Sequence, residues 1–155
     1  MSHFPLQIMV GRWDELEERA KCIRHDVFVL EQHVPLALEW DGIDDQCWHG
    51  LALLTDETGV QTAVGTGRLV LEGEELKPGM GKIGRMAILW RYRGHGVGSV
   101  LLKALIEKAR ELGMVELLLH AQLYAREFYL IHGFEESGEF FDEAGIEHIA
   151  MRLQL

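Results

Sequence analysis

The residues with the clearest chemical potential are three glycines that alternate in the middle of the chain, Gly94, Gly96 and Gly98. They follow two basic residues, Arg91 and Arg93, and precede a segment with helical periodicity. The N-terminus of a helix has free backbone N–H groups and about half a positive charge. Glycines allow an anion to approach these groups closely, so the segment indicates a phosphate-binding turn.

Three other kinds of glycine-rich turn compete with this interpretation. A P-loop would need Gly-Lys-Ser or Gly-Lys-Thr, which does not follow here. A dinucleotide fingerprint would need a glycine three residues after Gly98, where the chain has Leu101. A plain tight turn that caps a helix stays open, because Gly-x-Gly alone is a weak signal.

Charge is segregated along the sequence. Residues 25–67 contain eight acidic residues and no Lys or Arg, whereas residues 76–106 contain six basic residues and no Asp or Glu. The whole chain has 15 basic and 25 acidic residues and a net charge of −10. This balance argues against a nucleic-acid-binding protein, which needs a surface that neutralises phosphates. The acidic run fits either a solvated face or the wall of a site for a cation.

The pattern of apolar residues predicts the elements that position the turn. A strand over 6–10 precedes a helix over 14–30, and Pro35 stops any helix nearby. Strands are predicted over 48–55, 62–72 and 82–90, and a helix runs from 97 to about 112. A strand over 115–120, a helix over 124–132 and two strands, from 134 onward and over 146–153, follow. This order predicts an α+β fold whose mixed sheet has parallel strands at 82–90 and 115–120.

Length and composition are those of one ordinary globular domain, residues 1–155. Hydrophobic residues make up 48% of the chain, yet no apolar run approaches the roughly 20 residues that span a bilayer. We see no signal peptide, and we expect Cys22 and Cys47 to be reduced, buried thiols. These features predict a cytoplasmic protein that has no membrane partner.

The glycine-rich segment and the order of elements resemble the GNAT superfamily of N-acetyltransferases over nearly the whole chain. Residues 93–98, Arg-Gly-His-Gly-Val-Gly, match the acetyl-CoA motif Q/R-x-x-G-x-G/A of that superfamily. A second block is matched by Ala125, Tyr129 and Gly133-Phe134, with Gln122 where Asn is usual. The resemblance implies a GNAT-like (acyl-CoA N-acyltransferase) fold, in which helices flank a central mixed, mostly antiparallel sheet.

Shorter segments look like the ElaA-like branch of this superfamily. They include Gly84-Arg85-Met86-Ala87, His120-Ala121-Gln122 and the run from Glu143 to His148. Resemblance to this branch implies the fold and the acetyl donor, but it says less about which acceptor is used.

The resemblance implies acetyl-CoA as co-substrate, with its pyrophosphate on the backbone N–H groups of residues 93–99. The backbone of residues 86–88 would pair with the pantetheine arm and stabilise the oxyanion. The residues implied in donor binding are Met86, Ala87, Ile88, Arg91, Arg93, Gly94, His95, Gly96, Val97, Gly98, Ser99, Gln122 and Tyr129. We expect no metal, because no two histidines stand at i, i+4 and Cys47-x-His49 is not a zinc pattern.

The resemblance also implies how protons move. Tyr129 matches the superfamily's proton donor to the leaving thiolate, although a packed core tyrosine would show the same helical position. The attacking amine must lose a proton, and the candidate bases are Glu31, Glu39, Asp41, His120 and His148. The predicted catalytic residues are Tyr129, His120 and Glu31, and the predicted acceptor contacts are Glu31, Glu39, Asp41 and His148.

The function implied by this resemblance is transfer of an acetyl group from acetyl-CoA to a primary amine by direct attack in a ternary complex. The partner would be a small-molecule or peptide amine, and the acidic run predicts a cationic one. A non-catalytic acyl-CoA sensor on the same fold and a nucleotide-binding regulator stay open as alternatives. The oligomeric state is also open, with a homodimer as one option.

Overall fold

The computed structural model describes residues 5–155. β1 (Leu6–Arg12) leads into α1 (Trp13–Arg24), which continues as a π-helical segment (His25–Glu31), and the short helix α2 (Leu36–Glu39) follows. Next come β2 (Trp48–Thr55), β3 (Gln61–Val70), β4 (Met80–Ile88) and α3 (Val97–Glu111). The remaining elements are β5 (Glu116–Gln122), α4 (Arg126–Ile131), β6 (Glu135–Glu143) and β7 (Ile146–Gln154).

Seven strands form one sheet in the order β1-β2-β3-β4-β5-β7-β6. Neighbouring strands are antiparallel except for β4 and β5, which are parallel and are connected through α3. This mixed, mostly antiparallel sheet with flanking helices confirms the predicted fold class.

Helices α1 and α3 cover opposite faces of the sheet. Leu51 and Leu53 on β2 pack with residues of α1, whereas a Cβ at Gly50 would lie 2.8 Å from Leu101 on α3. The two faces alternate along β2 because successive side chains of a strand point to opposite sides. The sheet is therefore buried on both faces at β2.

Two local expectations differ from the structure. The sequence predicts that Pro35 stops any helix nearby, whereas in the structure Pro35 is the N-cap of the short helix α2. A proline is tolerated there because the first turn of a helix needs no N–H donor. Both cysteines are free, but Cys22 is exposed on α1 and only Cys47 is buried. Within residues 5–155, no helix is long and apolar enough to cross a membrane.

Candidate active site

A cleft opens in the sheet where β4 and β5 separate. The two strands pair only from Met80 to Ile83 and from Glu116 to Leu119. Beyond this point β4 pairs with β3 and β5 pairs with β7, so their facing edges have no strand partner in the described sheet. A pocket of about 740 Å³ lies in the gap. Unpaired backbone groups on its walls could bind an extended, amide-containing ligand as an added strand.

β4 bends at a bulge beside this cleft. Its pairing with β3 shifts register between Thr66 and Arg68, and Arg85 has a left-handed backbone with a φ of 52°. Such a conformation is costly for a residue with a side chain, and it is often found at functional sites. Met86 lines the pocket, whereas Ala87 is buried in the core. Ala87 could therefore contact the acetyl donor, as predicted, only through its backbone.

The glycine-rich turn joins β4 to α3. Gly94 and Gly96 have left-handed backbones, with φ of 79° and 81°, and Gly96 is the N-cap of α3. The first hydrogen bond of the helix runs from the Val100 N–H to the Gly96 carbonyl at 3.2 Å. The N–H groups of residues 94–99 have no acceptor within residues 5–155. The turn thus has the free donors and left-handed glycines that an anion site needs.

The side chains of this turn differ in what they could contribute. Arg91 and His95 are exposed and could approach an anion, whereas Val97 is buried and could offer only its N–H. The Ser99 hydroxyl lies 2.9 Å from His132 Nε2. This contact joins the first turn of α3 to the residue after α4.

Arg93 and Glu31, both predicted site residues, bind each other. The Arg93 guanidinium makes two hydrogen bonds to the Glu31 carboxylate, at 2.6 and 2.8 Å, and its Nε donates to the Ile88 carbonyl at 2.8 Å. The pair joins the end of the π-helical segment to the end of β4. Glu31 therefore does not present a free carboxylate to an amine, and Arg93 does not present a free guanidinium to a phosphate.

Gln122 is paired across the mouth of the cleft. Its side-chain Nε2 donates to Gln32 Oε1 at 2.8 Å, and Gln32 Nε2 lies 3.4 Å from Gln122 Oε1. To contact the acetyl donor as predicted, Gln122 would have to break its hydrogen bonds with Gln32 or keep them while it binds.

Tyr129, the predicted proton donor, lies on α4 at the wall of the pocket. Only 8% of the residue is exposed, and its ring packs edge-on against Phe128 and Phe134. Its hydroxyl has no hydrogen-bond partner among the described residues. Burial raises the pKa of the phenol, so the group stays protonated at neutral pH. Tyr129 thus offers an O–H donor to a ligand in the cleft.

Two of the predicted bases, His120 and His148, also line the pocket. They lie on the neighbouring strands β5 and β7, and Glu143 at the end of β6 contacts both rings. The sequence indicates Glu143 only as part of a family motif, because its contact with the histidines arises when the β6–β7 hairpin packs beside β5. Among residues 5–155, no group of three or more His, Cys, Asp or Glu side chains is arranged to hold a metal ion.

Part of the acidic run is paired with arginines of α1, β3 and β4. Three carboxylates and three guanidinium groups form what we call the arginine cluster, which consists of Arg24, Arg68, Arg85, Glu39, Asp41 and Asp44. Arg24 contacts Glu39 at 2.8 Å and Asp44 at 2.6 Å, and all three side chains are buried. Burial alone would raise the pKa of Asp44, but hydrogen bonds from Arg24 and Arg68 hold it below its usual value.

This cluster corrects the interpretation of the acidic run as a free wall of the acceptor site. Glu39 is bound by Arg24, and Asp41 is bound by Arg68 at 2.9 Å. The predicted acceptor contacts of both carboxylates are therefore already taken. The physical reason is that α1, β3 and β4 each place one arginine against the run, so the local charges cancel.

The pocket nevertheless has an excess of negative charge. Six carboxylates and three Lys or Arg side chains line it, which leaves three negative charges in excess when the histidines are neutral. Glu72, Glu74 and Glu75 are exposed in the loop between β3 and β4, and Glu143 lies on the hairpin opposite. Sequence reasoning missed these loop residues, because the charge pattern drew attention to the run before β3.

Comparison with known proteins identifies related sequences. Residues 52–155 match the family model described as an acetyltransferase (GNAT) domain. The uncharacterized N-acetyltransferase YjcF of Bacillus subtilis is 32% identical over 148 residues, which cover 94% of this chain and 98% of YjcF.

Solved structures are similar over almost the whole length. Escherichia coli ElaA has a TM-score of 0.81 at 27% identity, covering 97% of this chain and 100% of ElaA. An acyl-CoA N-acyltransferase from Pseudomonas aeruginosa has a TM-score of 0.77 at 28% identity, covering 96% of this chain and 99% of that enzyme.

Proposed function

The chain belongs to the GNAT family of acetyltransferases, and from this premise we propose that it transfers an acetyl group from acetyl-CoA to a primary amine by direct attack in a ternary complex. The observation that supports this most is the cleft between β4 and β5, which has Tyr129 on its wall. A smaller pocket that shares Gln32 and Gln122 with it extends to Arg93 at the start of the glycine-rich turn. We also propose that the chain acts as one domain in the cytoplasm.

The residues present fit acetyl-CoA in chemical type. The free N–H groups of residues 94–99 would hold the pyrophosphate, and Arg91 and His95 would add donors at its exposed side. The unpaired edge of β4 would bind the amides of the pantetheine arm. A backbone N–H next to the bulge at Arg85 would donate to the thioester oxygen, a contact typically worth about 3 kcal/mol in the transition state.

Acetyl-CoA supplies an activated acyl group and a thiolate leaving group. A thiol of the cysteine type has a pKa of roughly 8.5. The thiolate therefore leaves more readily when a donor protonates or hydrogen-bonds its sulfur. The unpartnered hydroxyl of Tyr129 is suited to this task. His120 and His148 remain the candidates for the base, since Glu31, Glu39 and Asp41 are bound to arginines.

Turnover tests the proposal directly. Purified protein is mixed with acetyl-CoA and a panel of amines, and free CoA thiol is measured. We expect CoA release that depends on the amine. Tight binding of acetyl-CoA without turnover would contradict the proposal and match a sensor, and competition by ATP would match a nucleotide-binding regulator.

Replacement of Tyr129 by Phe should lower kcat by about 100-fold, the usual scale for one acid–base group. The change keeps the buried ring and removes only the O–H, so acetyl-CoA affinity should change little. Tyr124→Phe is the control, because Tyr124 also lines the pocket but is 78% exposed. If Tyr129→Phe has the same kcat as the control, Tyr129 serves only in core packing.

We further propose that the acceptor is cationic, since the pocket has an excess of negative charge. The double change Glu72→Gln and Glu74→Gln should raise KM for cationic amines, and this difference should shrink as salt screens the charges. Glu57→Gln, an exposed residue in the turn between β2 and β3, is the control. Equal KM for neutral and cationic amines at all salt concentrations would contradict a cationic acceptor.

A further inference from the structure

We propose that Glu143 is a positioning residue that orients His120 as the proton acceptor for the incoming amine. This inference rests on the proposed acetyl transfer. It is carried by a contact between β5 and the β6–β7 hairpin: His120 Nδ1 lies 3.0 Å from Glu143 Oε1.

The contact determines which nitrogen of His120 has the proton. A carboxylate can only accept a hydrogen bond, so His120 Nδ1 must be the donor. In the neutral ring the other nitrogen, Nε2, then has the lone pair that can take a proton from an amine. The hydrogen bond from His120 lowers the pKa of Glu143, so this carboxylate remains an acceptor at neutral pH.

Aromatic rings from the hairpin surround both partners. Phe141 packs edge-on against the His120 ring, with centroids 4.9 Å apart. His148 donates from Nδ1 to the Ile146 carbonyl at 2.7 Å, and its Nε2 lies 3.6 Å from Glu143 Oε2. Glu143 thus has an imidazole at each oxygen, one on β5 and one on β7.

Other charged groups face His120 from the loop before β4 and from β4 itself. Glu75 Oε2 lies 3.5 Å from His120 Nε2, and Lys82 Nζ binds the other oxygen of Glu75 at 2.6 Å. An imidazolium formed at His120 would lie between the carboxylates of Glu75 and Glu143, which stabilises the charged ring. The arrangement therefore supports a ring that gains a proton during the reaction.

The proton balance of the step is complete with the groups named. An ammonium acceptor gives one proton to His120 Nε2, and the resulting amine attacks the thioester carbon. The C–N bond forms, the C–S bond breaks, and Tyr129 donates a proton to the sulfur. The second proton of the amine nitrogen replaces the one lost by Tyr129, and His120 releases its proton to solvent. The products are the amide, CoA thiol and one proton.

Glu143→Gln tests the inference, with Glu139→Gln as matched control because Glu139 is an exposed acid on the same strand. We expect Glu143→Gln to lower kcat/KM for the amine by about 10-fold or more, with unchanged KM for acetyl-CoA. The control should change neither quantity. The same kcat/KM for the amine in both variants would overturn the role of Glu143.

A second measurement does not depend on turnover. Nitrogen NMR of the His120 ring should show the proton on Nδ1 in the wild type and a loss of this preference in Glu143→Gln. A neutral wild-type ring with its proton on Nε2 would contradict the proposed orientation. Wild-type protein that releases no CoA with any amine would contradict the proposed function and this inference together, whereas an active wild type with an equally active Glu143→Gln variant would contradict the inference alone.

Discussion

Replacement of Gly96 by Asp should weaken acetyl-CoA binding by about 1,000-fold. Two like charges about 4 Å apart repel by about 4 kcal/mol at the effective dielectric of a protein surface, which corresponds to roughly this change in affinity. The carboxylate would stand at the N-cap of α3, next to the free N–H groups of residues 94–99. Isothermal titration calorimetry with acetyl-CoA measures the loss.

The matched control for this change is Gly96→Asn. Asn has nearly the same shape as Asp and tolerates the left-handed backbone of Gly96, but it adds no charge. A Cβ built at Gly96 has no heavy atom within 4 Å, so the two variants share the same open space and the same backbone strain and differ in charge. The Asn variant should bind acetyl-CoA far more tightly than the Asp variant. If the two folded variants bind acetyl-CoA with equal affinity, the pyrophosphate does not bind at this turn.

Replacement of Arg24 by Met should lower the free energy of unfolding by about 3 kcal/mol or more, as is usual when one partner of a buried ion pair is removed. Met keeps an apolar stem but removes the charge that faces Glu39 and Asp44. Arg85 Nε stays 3.2 Å from Glu39 Oε2 and Arg68 Nη1 stays 3.1 Å from Asp44 Oδ1, so each carboxylate keeps one cation but loses its shorter contact with Arg24. Urea denaturation followed by circular dichroism gives the change.

Arg19→Met on the same helix is the control, because Arg19 is exposed. Its effect should stay within about 0.5 kcal/mol, as for most surface changes. A loss below about 1 kcal/mol for Arg24→Met would fall in the range of an exposed ion pair. The arginine cluster would then contribute to the shape of the pocket wall more than to stability.

The sequence alone determines the fold class and the place of the proposed donor site. The alternation of apolar residues and the helical period after Gly98 depend on residues that are close in the chain. The same holds for the glycine-rich turn, whose left-handed Gly94 and Gly96 adjoin the helix that they begin. Such features are local, so a linear pattern can predict them.

The partners of the charged side chains depend on tertiary structure. Arg85 and Asp41 are 44 residues apart in the chain, and Arg93 and Glu31 are 62 apart. The sequence shows no Lys or Arg within residues 25–67 and therefore predicts an acidic wall, but the fold packs the flanking Arg24 and Arg68 and the more distant Arg85 against it. Their effect on the acceptor site could be found only from the packed structure.

The order of strands likewise decides what faces His120. The sequence indicates that β6 and β7 follow α4, but it does not show that β7 pairs with β5 while β6 lies at the edge of the sheet. This order places Glu143 beside His120 and His148, at the cleft that opens where β4 and β5 separate beyond Ile83 and Leu119. Strand order arises from the packing of the whole core, since each strand buries its faces against elements that are distant in the chain.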